Sequence, residues 1–311
     1  MIEKIEKIKR QILDIERKIE REEDIREIVA LKKQKIKLES ELVELMEQEF
    51  GEANDAGVVS LAEAIQLYEA MPKKPVYATG IEALDKHFGG GLAMSQLVIA
   101  AGEKGAGKTL LTMQILKNVS RGWRTMLFSL EMPYWKVVER FQKQQLNERI
   151  LTNLNIADKK FTLEAIESII RIEAAKGTKF FVIDSLMKIA TLKNFSSTAE
   201  RYSHISATLS RLAVELDVII FLIAQMSKED TKNGHKGLKY SGDLEYDADV
   251  ILYILKDKNV LSKRVLICDK NRQNGEEFKE IIYIDKNTLE FKSEPAVEVV
   301  YNEDKINMEV I

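Results

Sequence analysis

A single cysteine, Cys268, in 311 residues excludes an intrachain disulfide and a cysteine-built metal cluster. The three histidines, His87, His204 and His235, are scattered without metal-ligand spacing, so no zinc site is expected. Long apolar runs are also lacking. Residues 218–224 form one of the longest, far too short to cross a membrane. The N-terminus is charged from Glu3 onward and lacks an apolar signal core. A cytoplasmic protein without a membrane partner is expected. An excess of positive charge is missing as well: 47 Lys and Arg against 50 Asp and Glu leave a net charge of -3. Any grip on nucleic acid must therefore come from a local basic stripe rather than a global field.

Residues 1–50 hold neither Gly nor Pro, and what they do hold is periodic. Ile2, Ile5, Ile8, Ile12, Ile15 and Ile19 recur at three- and four-residue steps between charged residues. Ile25, Ile28, Leu31, Leu38, Leu42 and Leu45 continue the pattern. This predicts an amphipathic helical module, either one long coiled-coil helix or a hairpin turning near residues 21–24. An oligomerisation or partner-docking role is expected of it. Residues 51–78 read as a linker: Gly, Asn and Asp break the pattern over 51–57, and Ser60 with Glu63 offers a capping box to a short helix over 61–70. Pro72 and Pro75 stop that helix.

From Thr79 the texture becomes alternating strands and helices. Strands are predicted over 96–101, 125–129, 180–183, 218–224, 250–255, 264–269 and 280–285. Helices are predicted over 110–119, 134–149, 161–176 and 197–215. Fully apolar strands between helices imply an α/β core over 79–294 with a mostly parallel sheet covered on both faces. The closely spaced last strands suggest hairpins. Residues 295–311 show no period and read as a C-terminal tail.

Gly102-Glu103-Lys104-Gly105-Ala106-Gly107-Lys108-Thr109 fits G-x-x-x-x-G-K-[ST] between a predicted strand and a helix opening at Leu110. Glycines let backbone N–H groups curl around phosphate oxygens, and the helix N-terminus adds positive potential. Lys108 is expected on the β- and γ-phosphates of ATP and the Thr109 hydroxyl on Mg²⁺. Asp184 ends an apolar strand, where a carboxylate is costly unless paired, and the hydrated metal is its natural partner. Glu131 follows the strand over 125–129 and is the candidate catalytic carboxylate. Gln225 ends the strand over 218–224, placed to sense the γ-phosphate.

Ser129-Leu130-Glu131-Met132-Pro133 resembles the signature of DnaB-type replicative DNA helicases, within the RecA-like P-loop ATPases. Thr79-Gly80-Ile81 with Leu84-Asp85, Ala224-Gln225-Met226-Ser227 and residues 241–251 are similar to further motifs of that family. Lys270-Asn271-Arg272 resembles its finger element. The resemblance spans residues 61–291. It implies a RecA-like fold, a homohexameric ring around single-stranded DNA and 5′ to 3′ translocation with unwinding. It also implies Lys270 and Arg272 reaching the γ-phosphate of a neighbouring subunit, the helix over 61–70 docking on that neighbour, and a helicase loader or primase as partner. Two loops would then face the DNA: one with Lys188 and Lys193 beside Phe195, the other with Lys228, Lys232, Lys236 and Lys239. The Ile-rich module stands where the family carries a globular helical domain. Residues 79–85 and 89–92 are also similar to the RadA and KaiC relatives. A recombination ATPase, or a regulatory or scaffold ATPase that does not act on DNA, are the alternative readings.

Overall fold

A computed structural model describes residues 2–21, 25–51, 59–71, 74–144, 146–226, 242–294, 297–302 and 305–310. The chain divides into two compact units, Met1–Lys73 and Lys74–Ile311.

In the first unit, α1 (Ile2–Arg21) and α2 (Ile25–Gly51) form a helical hairpin. Ile5 and Ile8 bury against Leu42 and Leu45, with Ile12 and Leu38 packed on them. Each stripe therefore covers the other, which a single straight helix could not achieve within one chain. Lys35 reaches Glu16 at 2.7 Å and Lys4 reaches Glu41 at 3.5 Å across the pair. The short helix α3 (Leu61–Ala70) has the expected capping box: Ser60 Oγ accepts from Glu63 N, and the Glu63 carboxylate accepts from Ser60 N at 2.8 Å. It buries no residue, and Leu61, Ile65 and Tyr68 are exposed.

The second unit is a nine-stranded sheet with helices on both faces. In chain order it contains α4 (Glu82–His87), β1 (Gln96–Gly102), α5 (Lys108–Val119), β2 (Arg124–Ser129), α6 (Tyr134–Phe141), α7 (Glu148–Asn153), β3 (Leu154–Ala157), α8 (Leu163–Ala175), β4 (Thr178–Asp184), α9 (Thr198–Glu215), β5 (Ile219–Gln225), α10 (Gly242–Asp247), β6 (Val250–Lys256), β7 (Lys263–Asn271), β8 (Phe278–Ile284) and β9 (Phe291–Lys292). The strand order is β3-β2-β4-β5-β1-β6-β7-β8-β9. Strands β1 to β6 pair in parallel, and β6 to β9 follow as antiparallel neighbours. Every residue of β1 is buried, because one apolar cluster lies on each face of the sheet. That double burial is why its central strands read as continuous apolar runs.

Several boundaries differ from the sequence reading. The helix expected over 134–149 is two helices: α6 ends at Phe141, and Asn147 starts α7 by accepting from Ile150 N at 3.0 Å. Strand β3 was not expected; it is four partly exposed residues pairing with the outer side of β2. Helix α4 was also missed. It is ordered from below by Asp85, whose carboxylate accepts from Thr79 N and Oγ1, both at 2.7 Å, and from Gly80 N at 2.9 Å. The tail is not featureless: β10 (Val297–Asn302) and β11 (Lys305–Val310) pair as an antiparallel hairpin.

Candidate nucleotide site

Parallel pairing brings the strand ends to one edge of the sheet. Gly102 of β1 is level with Gln225 of β5, and Ser129 of β2 with Asp184 of β4. In an open α/β sheet this carboxyl edge is where a ligand site forms. The Gly-rich turn leaves β1 there. Gly102 passes so close to β6 that a Cβ would lie 2.5 Å from the Ile254 carbonyl oxygen. Gly107 sits at φ 103°, and its Cβ would lie 2.9 Å from the Phe291 ring, so neither position has room for another residue. Helix α5 begins at Lys108, and its first-turn amides have no intrahelical acceptor.

Lys108 Nζ donates to the carbonyls of Gly102 at 2.7 Å and Glu103 at 2.9 Å. Burial lowers its pKa, opposed by the charges of Asp184, Glu131 and Glu103. Thr109 Oγ1 donates to Asp184 Oδ2 at 2.7 Å. Asp184 is almost fully buried, and that burial pushes its carboxyl up to about 6. The Thr109 hydrogen bond and the Lys108 charge oppose the rise, while Glu131 adds to it. Ser185 Oγ donates to Glu131 Oε1 at 2.6 Å and so fixes the candidate catalytic carboxylate. The turn carrying Glu131 is itself held by Leu130 N on the Asp184 carbonyl at 2.8 Å and Ser129 Oγ on the Met132 carbonyl at 2.6 Å.

Lys104, Gly105, Gly107, Lys108, Thr109 and Leu110 line one cavity of about 490 Å³ together with Glu131, Asp184 and Gln225. The sequence-predicted set therefore converges. Gly102, Glu103 and Ala106 lie behind the lining, where the first two supply carbonyls to Lys108 and Ala106 is fully buried. Arg140 of α6 and Ser185 also line the cavity and escaped the sequence reading. Ser185 was legible as the neighbour of Asp184; Arg140 carried no motif of its own. Thr109 and Asp184 offer a hydroxyl and a carboxylate 2.7 Å apart, hard oxygen donors of the kind Mg²⁺ takes.

Lys270 and Arg272 are not in this cavity. Lys270 pairs with Ile251, which pairs with Ile99, so it lies well back from the edge of Gly102. Arg272 N donates to the Asp249 carbonyl at 2.8 Å, and Asp249 pins Leu97 through Oδ2 at 2.9 Å. Both cations thus sit toward the opposite edge of the sheet. Lys270 Nζ donates to the carbonyls of Glu245 and Tyr246, and the Arg272 guanidinium to Tyr246 O at 3.1 Å and Asp249 at 3.5 Å. Lys188 and Lys193 are exposed beyond β4, with the Lys193 ammonium 5.2 Å from the Phe195 ring centre. Lys228, Lys232, Lys236 and Lys239 lie outside the described residues.

The family model described as DnaB-like helicase C terminal domain matches residues 77–150 and 142–293. The chain belongs to that family. The matched residues take in the Gly-rich turn, Glu131, Asp184 and Gln225. Replicative DNA helicase DnaB of Buchnera aphidicola subsp. Schizaphis graminum is 29% identical over 217 residues, covering 58% of this chain and 46% of that relative. DNA repair protein RadA of Escherichia coli K12 is 26% identical over 216 residues, covering 68% of this chain and 45% of that relative. The chain therefore spans less than half the length of either curated relative. Among solved structures, one helicase-like ATPase domain superposes with a TM-score of 0.65 at 26% identity, over 76% of this chain and 99% of that one. Among the described residues no helix is long and apolar enough to cross a membrane.

Proposed function

We propose that this chain is the motor of an ATP-dependent replicative DNA helicase, a homohexameric ring that translocates 5′ to 3′ on single-stranded DNA and unwinds duplex. The convergence of Lys108, Thr109, Asp184, Glu131 and Gln225 on one cavity carries the reading. Lys108 and the amides of the Gly-rich turn bind the phosphates. Thr109 and Asp184 would hold Mg²⁺, which supplies charge neutralisation on the β- and γ-phosphates. Glu131, positioned by Ser185, accepts the proton of the attacking water. Gln225 reports whether the γ-phosphate is present. Lys270 and Arg272 face away from their own cavity, which supports delivery to the γ-phosphate of a neighbouring subunit. An arginine supplied in trans couples hydrolysis to subunit movement. Lys188 and Lys193, with the lysines of 228–239, contact the DNA backbone without sequence preference.

The likeness to a DNA repair protein favours a second reading, a recombination ATPase acting on single strands. Strand displacement on forked DNA with ATP and Mg²⁺ separates the two, with Lys108→Ala as control. Unwinding that needs the 5′ tail and disappears in the variant is the expected result. Hydrolysis that single-stranded DNA leaves unchanged, with no unwinding of any fork, overturns the DNA-motor reading. DNA-stimulated hydrolysis with strand exchange and no unwinding favours the recombination ATPase.

A further inference from the structure

Residues Lys256 of β6 and Arg264 of β7 stand directly opposite one another in the antiparallel ladder, at the edge where the Gly-rich turn leaves β1. Opposed residues share a face, and like charges in that position destabilise a sheet. Neither side chain has an ion pair among the described residues. Arg264 is only 8% exposed. Its guanidinium donates to three backbone carbonyls, Ala106 at 2.8 Å, Leu261 at 2.6 Å and Lys263 at 2.7 Å. Lys256 Nζ donates to the Lys104 carbonyl at 2.6 Å. A buried cation bonded to neutral partners alone is a cost that a nearby anion would offset.

The two bonds fix which way the turn faces. In a trans peptide the C=O of one residue and the N–H of the next point in opposite directions. With the Lys104 carbonyl drawn to Lys256, the Gly105 amide points the other way. With the Ala106 carbonyl drawn to Arg264, the Gly107 amide does the same. Gly105 and Gly107 line the cavity, and their amides donate to no protein acceptor among the described residues. Lys108 holds the carbonyls of Gly102 and Glu103 in the same manner. Four carbonyls of the turn are therefore held by three cations.

We propose that Lys256 and Arg264 are positioning residues of the nucleotide site: a cationic brace that turns the Gly105 and Gly107 amides toward a bound polyphosphate and adds positive charge behind it. The inference rests on the nucleotide reading of the cavity. Neither residue touches the nucleotide, so the brace acts on binding, through the turn, and favours di- and triphosphates alike.

The test is equilibrium titration of the full chain with fluorescently labelled ATP and ADP in Mg²⁺, without turnover, alongside thermal melting of the nucleotide-free protein. Charged hydrogen bonds of this kind correspond to about tenfold in affinity or more. Arg264→Gln is expected to weaken ATP and ADP by about tenfold each, with Arg264→Lys recovering most of the loss because it restores the charge. Lys256→Ala, at an exposed position, is expected to weaken both several-fold with an unchanged melting temperature. In steady state the variants raise KM and leave kcat close to wild type. Wild-type affinity for both nucleotides in Lys256→Ala and Arg264→Gln, with binding lost in Lys108→Ala, overturns the brace and leaves the nucleotide site standing. Wild-type binding in Lys108→Ala overturns the nucleotide site, and the brace with it.

Discussion

Asp184 lies at the tip of an apolar strand, 3% exposed, with Glu131 adding a second negative charge nearby. Burial holds its carboxyl at about 6, above the ordinary 3.8. Between those two values the folded chain binds the proton more tightly than the unfolded chain does. Stability from this group is therefore fully present below pH 3.8 and falls as pH rises through about 6. At pH 7.5 the nucleotide-free protein carries the whole cost of the charge. Asp184→Asn keeps an acceptor for the Thr109 hydroxyl and removes that charge. The variant is expected to melt higher than wild type at pH 7.5, by about 2–4 °C for each kcal/mol relieved, with the gap closing toward pH 5. It should also lose Mg²⁺-dependent hydrolysis. A variant that melts lower at pH 7.5 would show that the carboxylate stabilises the empty site. The acidic and phosphate-binding residues of this site were legible because each follows a recognisable strand or lies within eight consecutive positions. Lys256 and Arg264 were not, since they meet the Gly-rich turn across more than a hundred intervening residues and belong to no local pattern.

At the scale of elements, the same distinction decides which parts of the fold the sequence could convey. Strands buried on both faces announce themselves as apolar runs, and β1, β4, β5 and β6 lie within a few residues of their expected limits. Strand β3 is short and half-exposed, so periodicity has nothing to act on. The break between α6 and α7 is set by the Asn147 cap, a local competitor that an otherwise helical stretch conceals. Helix α4 depends on a contact no local pattern reveals. His87 at its end is stacked on Phe278 at 4.2 Å and presents both ring nitrogens to carboxylates, Nε2 to Glu280 at 2.8 Å and Nδ1 to Glu276 at 2.5 Å. Two such bonds require the doubly protonated ring. Burial lowers the His87 pKa, but the two carboxylates outweigh it and raise it above 6.5. The clamp between α4 and β8 is thus complete below pH 6.5 and is lost as pH rises through the raised value. His87→Gln should therefore cost more stability at pH 6 than at pH 8.5. The pH-dependent part is expected to be about 1 kcal/mol or less, because Glu276 is half exposed. Chemical denaturation at the two pH values measures it; an equal cost at both would mean that the ring acts only by packing on Phe278.

The whole molecule poses a problem of completeness. The cavity holds a lysine, a hydroxyl, two carboxylates and an amide from one chain, while Lys270 and Arg272 are about 10–15 Å back along the strands by their register. Their side chains rest on the carbonyls at the end of α10 and on Asp249. If a second copy supplies these cations, a mutant chain can be repaired by a partner carrying a different defect. Arg272→Ala keeps a working cavity and loses the cation it would lend. Lys108→Ala keeps the cation and loses its own cavity. Each protein alone should hydrolyse ATP at least about 10³-fold more slowly than wild type, in line with the usual contribution of an arginine given in trans. Mixed, they should recover activity, because some junctions pair an intact Lys108 with an intact Arg272. Recovery should follow the square of total protein at low concentration, as expected when assembly is limiting, and should vanish when the Lys108→Ala partner also carries Arg272→Ala. Mixtures that stay as inactive as their components would place Arg272 in its own subunit's chemistry, or outside the chemistry altogether, and the trans arrangement would have to be abandoned.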